Sequence, residues 1–191
     1  MGGGSHGSSL VEVLVALLLL ALGILGGSVL HLASLRARHE SALLSTAAQL
    51  AAGMAERMRA NSGLADADNP YLDLDYDALL DAGAGAGAGD GGQSACFGAA
   101  ACTRTQLAQF DIAEWKQQLS SALPGGRLLI CRDLQAWDTA VHGLHWTCSG
   151  GSGAPIVIKL GWRGRQMGVQ ATGQTAEALP RLAMQLGGGS S

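Results

Sequence analysis

Residues 13–30 read VLVALLLLALGILGGSVL, eighteen positions without a charge and with only glycine and one serine among the aliphatics. A helix rises about 1.5 Å per residue, so this run makes a rod of roughly 27 Å, close to the thickness of a bilayer's hydrocarbon core. No comparable run occurs elsewhere in the 191 residues. The pattern predicts a single-span or anchored protein with the rest of the chain outside the bilayer. A cleaved secretory signal is the plain alternative, but it needs a basic start, an apolar stretch of about 7–15 residues and a small-residue cleavage site. Here residues 1–7 hold no Lys or Arg, the apolar run is longer, and residues 31–36 continue a helical pattern. Glu12 stands just inside the apolar stretch. An ionised carboxylate in that setting is costly unless paired, which makes Glu12 a candidate functional residue.

The helix is predicted to outrun the membrane. No Pro occurs between residues 32 and 59, and Leu43, Ala47, Leu50, Met54 and Met58 fall on one apolar face. Arg38, Ser41, Ser45, Gln49, Glu56 and Arg59 lie opposite. Arg36 and Glu40 form an i,i+4 pair, and Asn61-Ser62-Gly63 is a plausible stop. One helix over residues 9–60 would measure roughly 78 Å. Its first half wants lipid or other apolar helices, and its second half needs a globular partner for its stripe. Gly23, Gly26 and Gly27 lower helix stability by roughly 0.5–1 kcal/mol each relative to Ala, so this stretch is expected to loosen when the helix leaves the bilayer for an assembly.

The segment His6-Gly7-Ser8-Ser9-Leu10-Val11-Glu12-Val13-Leu14-Val15-Ala16 resembles the N-terminus of type IV pilins and pseudopilins. In that family a leader ends in Gly, a membrane aspartyl peptidase cuts after it, the new N-terminus is methylated, and Glu stands fifth in the mature chain. The resemblance makes residues 1–7 a prepilin leader, Gly7 and Ser8 the cleavage pair, Ser8 the methylated residue and Glu12 the fifth. Ser8 stands where the family usually has Phe or Met. Cleavage would free an amino group at the membrane surface. Glu12 of one subunit can pair with that group on a neighbour and fix the axial register of a helix bundle, as a single polar residue does in a coiled coil.

Residues 62–94 differ in character, with seven Asp and no Lys or Arg. The run AGAGAGAG at 82–89 is low in complexity and reads as a flexible connection. Asp73-x-Asp75-x-Asp77 invites a calcium reading, but the Gly and the acid that such a loop needs further on are both Ala here. A solvated acidic loop is the expectation. All four cysteines lie in residues 95–191: Cys96, Cys102, Cys131 and Cys148. An even count beyond a membrane span suggests an oxidising exterior and up to two disulfides. Three connectivities are open, and Cys96 with Cys102 and Cys131 with Cys148 is favoured. The rival, zinc on His142-x-x-His145-x-x-Cys148, fails because residues three apart on a strand face opposite sides.

Residues 106–123 read as an amphipathic helix with Leu107, Phe110, Ile112, Trp115 and Leu119 near one side, stopped by Pro124-Gly125-Gly126. Asp111 and Glu114 read as its solvated face. Residues 127–132, 144–148 and 155–162 read as strands, 167–171 as a further edge strand, and 186–191 as a loose tail. The chain carries twelve Lys+Arg against fifteen Asp+Glu, a net −3 with no cationic excess for nucleic acid. It lacks GxSxG, HExxH, a Walker loop and GxGxxG after a strand, so no catalytic residue, metal or cofactor is expected.

MAERMRAN at 54–61, DIAEW at 111–115, LPGG at 123–126, Cys131 and the 156–163 strand ending in Gly-Trp-Arg resemble the PilV minor pilins. The resemblance spans most of the chain apart from the acidic, Gly/Ala-rich stretch. It implies an α+β type IV pilin fold, a long N-terminal helical spine packed on an antiparallel sheet. Its parts would be leader 1–7, membrane and assembly half 8–31, amphipathic half 32–61, acidic loop 62–94 and head 95–191. It implies a role in priming or capping type IV pilus assembly, in support of twitching motility and adhesion. The implied partners are other minor pilins, the major pilin and the prepilin peptidase/methyltransferase. The chain would sit in the inner membrane with its head in the periplasm, and on the pilus after assembly. Arg36 and Arg38 follow the span while residues 1–7 carry no positive charge, so this orientation comes from the family and runs against the charge rule. A type II secretion minor pseudopilin and a single-span anchored binding protein are the alternatives.

Overall fold

A computed structural model of the chain describes residues 10–64, 66–72, 74–83, 96, 101–140, 142–151, 153–163 and 179–187. Contacts divide it into two units, residues 1–42 and 43–191. The expected strand at 167–171 and the cleavage pair Gly7 and Ser8 lie outside the described residues.

Helix α1, Leu10–Ala60, is a single uninterrupted element that passes through Gly23, Gly26 and Gly27. In the first unit every residue of it except the half-buried Glu40 is exposed. In the second unit Leu43, Ala47, Ala51, Met54, Ala55 and Met58 are buried at the expected spacing, and Leu50 is half-buried against them. The helix ends at Asn61, and Gly63 takes φ +96, a conformation that favours glycine.

A short 3-10 turn, Asp66–Asp68, leads to strand β1, Asp75–Asp77, and helix α2, Ala78–Gly83. Of the aspartates read as a solvated loop, Asp75 and Asp77 thus lie in the sheet. Tyr76 is buried between Asp75 and Asp77, and Asp75 pairs with Arg127 at 3.3 Å.

Helix α3, Arg104–Ala122, starts two residues before the expected position. Thr103 caps it, its hydroxyl accepting from Gln106 N–H while the Gln106 side chain accepts from Thr103 N–H. Beyond Leu123 the LPGG turn stops it. Gly125 has φ +54, and a Cβ on Gly126 would lie 2.6 Å from Leu119. The turn also ties neighbours together, since Ala78 N–H donates to Gly126 O and Arg163 N–H to Pro124 O.

Four strands form one antiparallel sheet in the order β1-β2-β5-β6, with β2 Arg127–Arg132, β5 Ile156–Gly161 and β6 Pro180–Gln185. Leu128, Ile130, Ile158 and Leu160 face α1 and α3 and join Trp115, Leu119, Trp162 and the α1 stripe in one core. The expected strand at 144–148 shrinks to β4, Gly143–Leu144, paired with β3, Trp137–Asp138.

The segment between β2 and β5 folds back over the other face of the sheet, where Val157, Lys159 and Gly161 point. Cys131 on β2 is bridged to Cys148, and Cys96 to Cys102, the pairs favoured on the sequence. Trp146 lies where a side chain on Gly161 would stand, and Arg127 rests 4.6 Å from its ring centre. Lys159, fully buried, meets Asp133 Oδ2 at 2.6 Å and donates to His145 O and Thr147 O. Asp133 Oδ1 accepts from Ser149 Oγ, Ser149 N–H and Gln135 N–H. Burial pushes the Asp133 carboxyl upward, but the Lys159 ammonium and these donors outweigh it and hold it well below the usual carboxylate range.

Removing one partner of a buried pair strands the other charge, at about 3–5 kcal/mol. Asp133→Ala is therefore expected to destabilise the protein by that amount in denaturant titrations, and more than the double change Asp133→Leu/Lys159→Met. The depressed Asp133 gives stability that is fully present above its unfolded value, about pH 4, and is lost as pH falls through its lower folded value. Acid titration of thermal stability should show a loss below about pH 4 that the double variant lacks.

Candidate functional site

In the first unit every large apolar side chain from Leu10 to Leu35 is exposed, from 46% at Leu35 to 77% at Leu10. A soluble surface rarely carries a contiguous apolar patch beyond a few hundred Å². This surface therefore belongs in lipid or against other apolar helices. Among the described residues one helix is long and apolar enough to cross a membrane, and none of its apolar window is buried by them. Ser28, the only hydroxyl in that window, bonds back to Ile24 O at 2.8 Å and so hides its polarity inside the helix. Glu12 stands exposed in the first turn of α1, where the helix dipole favours a negative charge. The geometry thus isolates one carboxylate at the start of an otherwise greasy cylinder.

In the second unit a polar cluster joins the end of α1 to α3. Arg57 donates to Asp111 at 3.1 Å and to Glu114 at 2.6 Å. Tyr71 Oη donates to Asp111 Oδ2 at 2.8 Å, and Asn61 Nδ2 reaches both Tyr71 Oη and Arg104 O. Asp111 is 7% exposed, so the expectation of a solvated carboxylate is corrected. The buried stripe of α3 is Ala108, Asp111, Trp115 and Leu119, and Phe110 is only half-buried. The hydrogen bond from Arg57 holds the Glu114 carboxyl below its usual range, while burial raises the Tyr71 phenol far above its own, so Tyr71 remains a donor. Two motifs read separately in the sequence, MAERMRAN and DIAEW, are the two halves of this cluster. Their complementary charges are the signal that could have joined them.

His142, His145 and Cys148 form no ligand set, because Cys148 is bridged to Cys131. Among the described residues no group of His, Cys, Asp or Glu could hold a metal ion.

A family described as Tt1218-like, type IV pilin Tt1218, matches residues 29–113. That span takes in the later part of α1 and both halves of the Arg57 cluster up to Ala113. No curated protein and no solved structure matches the chain. A long apolar N-terminal helix followed by an antiparallel sheet is the α+β type IV pilin fold.

Arg57→Ala would leave Asp111 buried with Tyr71 as its remaining donor. Arg57 is itself a third exposed, which screens the pair. The expected cost is about 1–3 kcal/mol in chemical denaturation. Arg57→Lys is expected to recover only part of it, because a point ammonium cannot serve two carboxylates as a guanidinium fork does.

Proposed function

We propose that this chain is a type IV minor pilin of the PilV kind, a subunit that joins other pilins through its N-terminal helix and helps to start or cap a pilus. One observation carries the reading: an exposed apolar helix led by a single carboxylate, on a chain whose residues 29–113 match a type IV pilin family. Exchanging bilayer for neighbouring helices keeps the apolar side chains dry in both states, so a subunit can leave the membrane without exposing them to water. Glu12 then selects register. A carboxylate surrounded by apolar helices is tolerated only where a cation meets it, and the amino group freed by cleavage after Gly7 is the cation the assembly provides.

Under this reading the leader 1–7 is removed, Ser8 becomes the methylated N-terminus and Glu12 the fifth residue. The membrane and amphipathic halves of the helix, 8–31 and 32–61, carry the acidic loop 62–94 and the head 95–191. The prepilin peptidase/methyltransferase acts on the chain in the inner membrane while the head stands in the periplasm. The assembled pilus then serves twitching motility and adhesion. The disulfides Cys96 to Cys102 and Cys131 to Cys148 suit an oxidising compartment.

Mass spectrometry of the protein from sheared pili is expected to find an N-terminus at methylated Ser8. Retention of residues 1–7, or absence of the protein from pili, would refute the proposal. Glu12→Ala is expected to leave cleavage intact and to reduce incorporation at least tenfold, and undiminished incorporation would remove the register role.

A further inference from the structure

Between Val13 and Ala42 the charged residues are Arg36, Arg38 and Glu40, and His31 and His39 flank the arginines. All but the half-buried Glu40 are exposed. Among the described residues neither arginine forms an ion pair, so the i,i+4 contact that spacing offers Arg36 with Glu40 is not made. Under the orientation proposed above this cationic end lies on the periplasmic side, where the charge rule places no excess of Lys and Arg. Insertion therefore gives no reason for the two arginines.

Depth supplies one. Leu30 ends the uncharged run, and the Cα atoms of Arg36 and Arg38 stand roughly 9 and 12 Å beyond it along the axis. The polar layer of a bilayer is about 5–8 Å thick on each side of the hydrocarbon core. Helical side chains lean toward the N-terminus, which here is toward the bilayer. Leu32 and Leu35, still 53% and 46% exposed, lie on the way and offer apolar surface for the arginine stems. Both guanidinium groups thus reach the phosphate layer, and their planar forks match the oxygens of a phosphate. A separation of two residues turns the arginines roughly 200° apart around the axis, so each faces its own lipid. We infer that Arg36 and Arg38 bind the phosphates of two anionic phospholipids at the C-terminal boundary of the span. The inference rests on the membrane reading of α1 and not on assembly into a pilus.

The test equilibrates the full-length protein in a nonionic detergent with equal amounts of phosphatidylglycerol and phosphatidylcholine and counts the retained lipids by native mass spectrometry. An arginine near an anionic surface favours the anionic lipid about fivefold. Wild type is expected to retain up to two phosphatidylglycerol molecules, each at about that preference. Arg36→Gln and Arg38→Gln are each expected to retain one, and the double variant to show no preference beyond twofold. Glutamine is a good helix former, so the thermal midpoint is expected to hold. Arg59→Gln removes an exposed arginine beside Glu56 and is expected to behave like wild type. Replacing chloride by inorganic phosphate at equal ionic strength is expected to leave the preference intact. Wild type without a preference, a double variant that keeps it, an equal loss for Arg59→Gln or displacement by inorganic phosphate each overturns the inference. So does a double variant that keeps its lipids but is lost from sheared pili, which would give the arginines to a neighbouring subunit. Wild-type protein missing from pili is a separate result, because it refutes the pilin role and leaves the lipid result standing.

Discussion

An apolar helical surface that its own chain never covers is the constraint from which the other features follow. Among the described residues nothing packs on the apolar part of α1 in the first unit, and both a bilayer and a bundle of like helices can cover it. Its later turns gain stability from the head, where six buried positions of α1 enter the same core as the sheet. The sharp difference between exposed and buried segments of one continuous helix is therefore a division of labour written along its length.

The head answers with two layers of different chemistry. On one face of the sheet, α1 and α3 bring leucine, methionine and tryptophan, and burial of apolar area does the stabilising. On the other face the segment from Asp133 to Cys148 brings main-chain carbonyls, one carboxylate and a disulfide, arranged around Lys159. Strand β5 is buried on both faces, which is why six consecutive residues from Val157 to Trp162 are buried in a sheet of only four strands. A lysine at its centre is tolerated because every donor on its ammonium has an acceptor.

Much of this was legible before any coordinates. The α1 stripe, β2 and the stop after α3 were readable because apolar period, strand composition and Pro-Gly chemistry are local signals. The candidate carboxylate Glu12 was readable for the same reason, as a charge at the edge of an uncharged run. What escaped depends on distant partners. Asp111 looked solvated because Arg57 lies 54 residues away. The stretch at 144–148 looked like a strand, but the carbonyls of His145 and Thr147 turn to Lys159 instead of a neighbouring chain. Strand β6 was missed because PRLAMQ has no β-branched residue and starts with Pro, which an edge strand accepts.

The Lys159–Asp133 pair also shapes how such a head can diverge. Losing either member first leaves a naked charge in a dry interior, while losing both to apolar residues of similar volume is close to neutral. The path between the two states crosses a deep fitness valley, so lineages that carry this pair are expected to keep it, whatever happens to the exposed loops around it. Its retention would then report historical entrapment more than any present benefit.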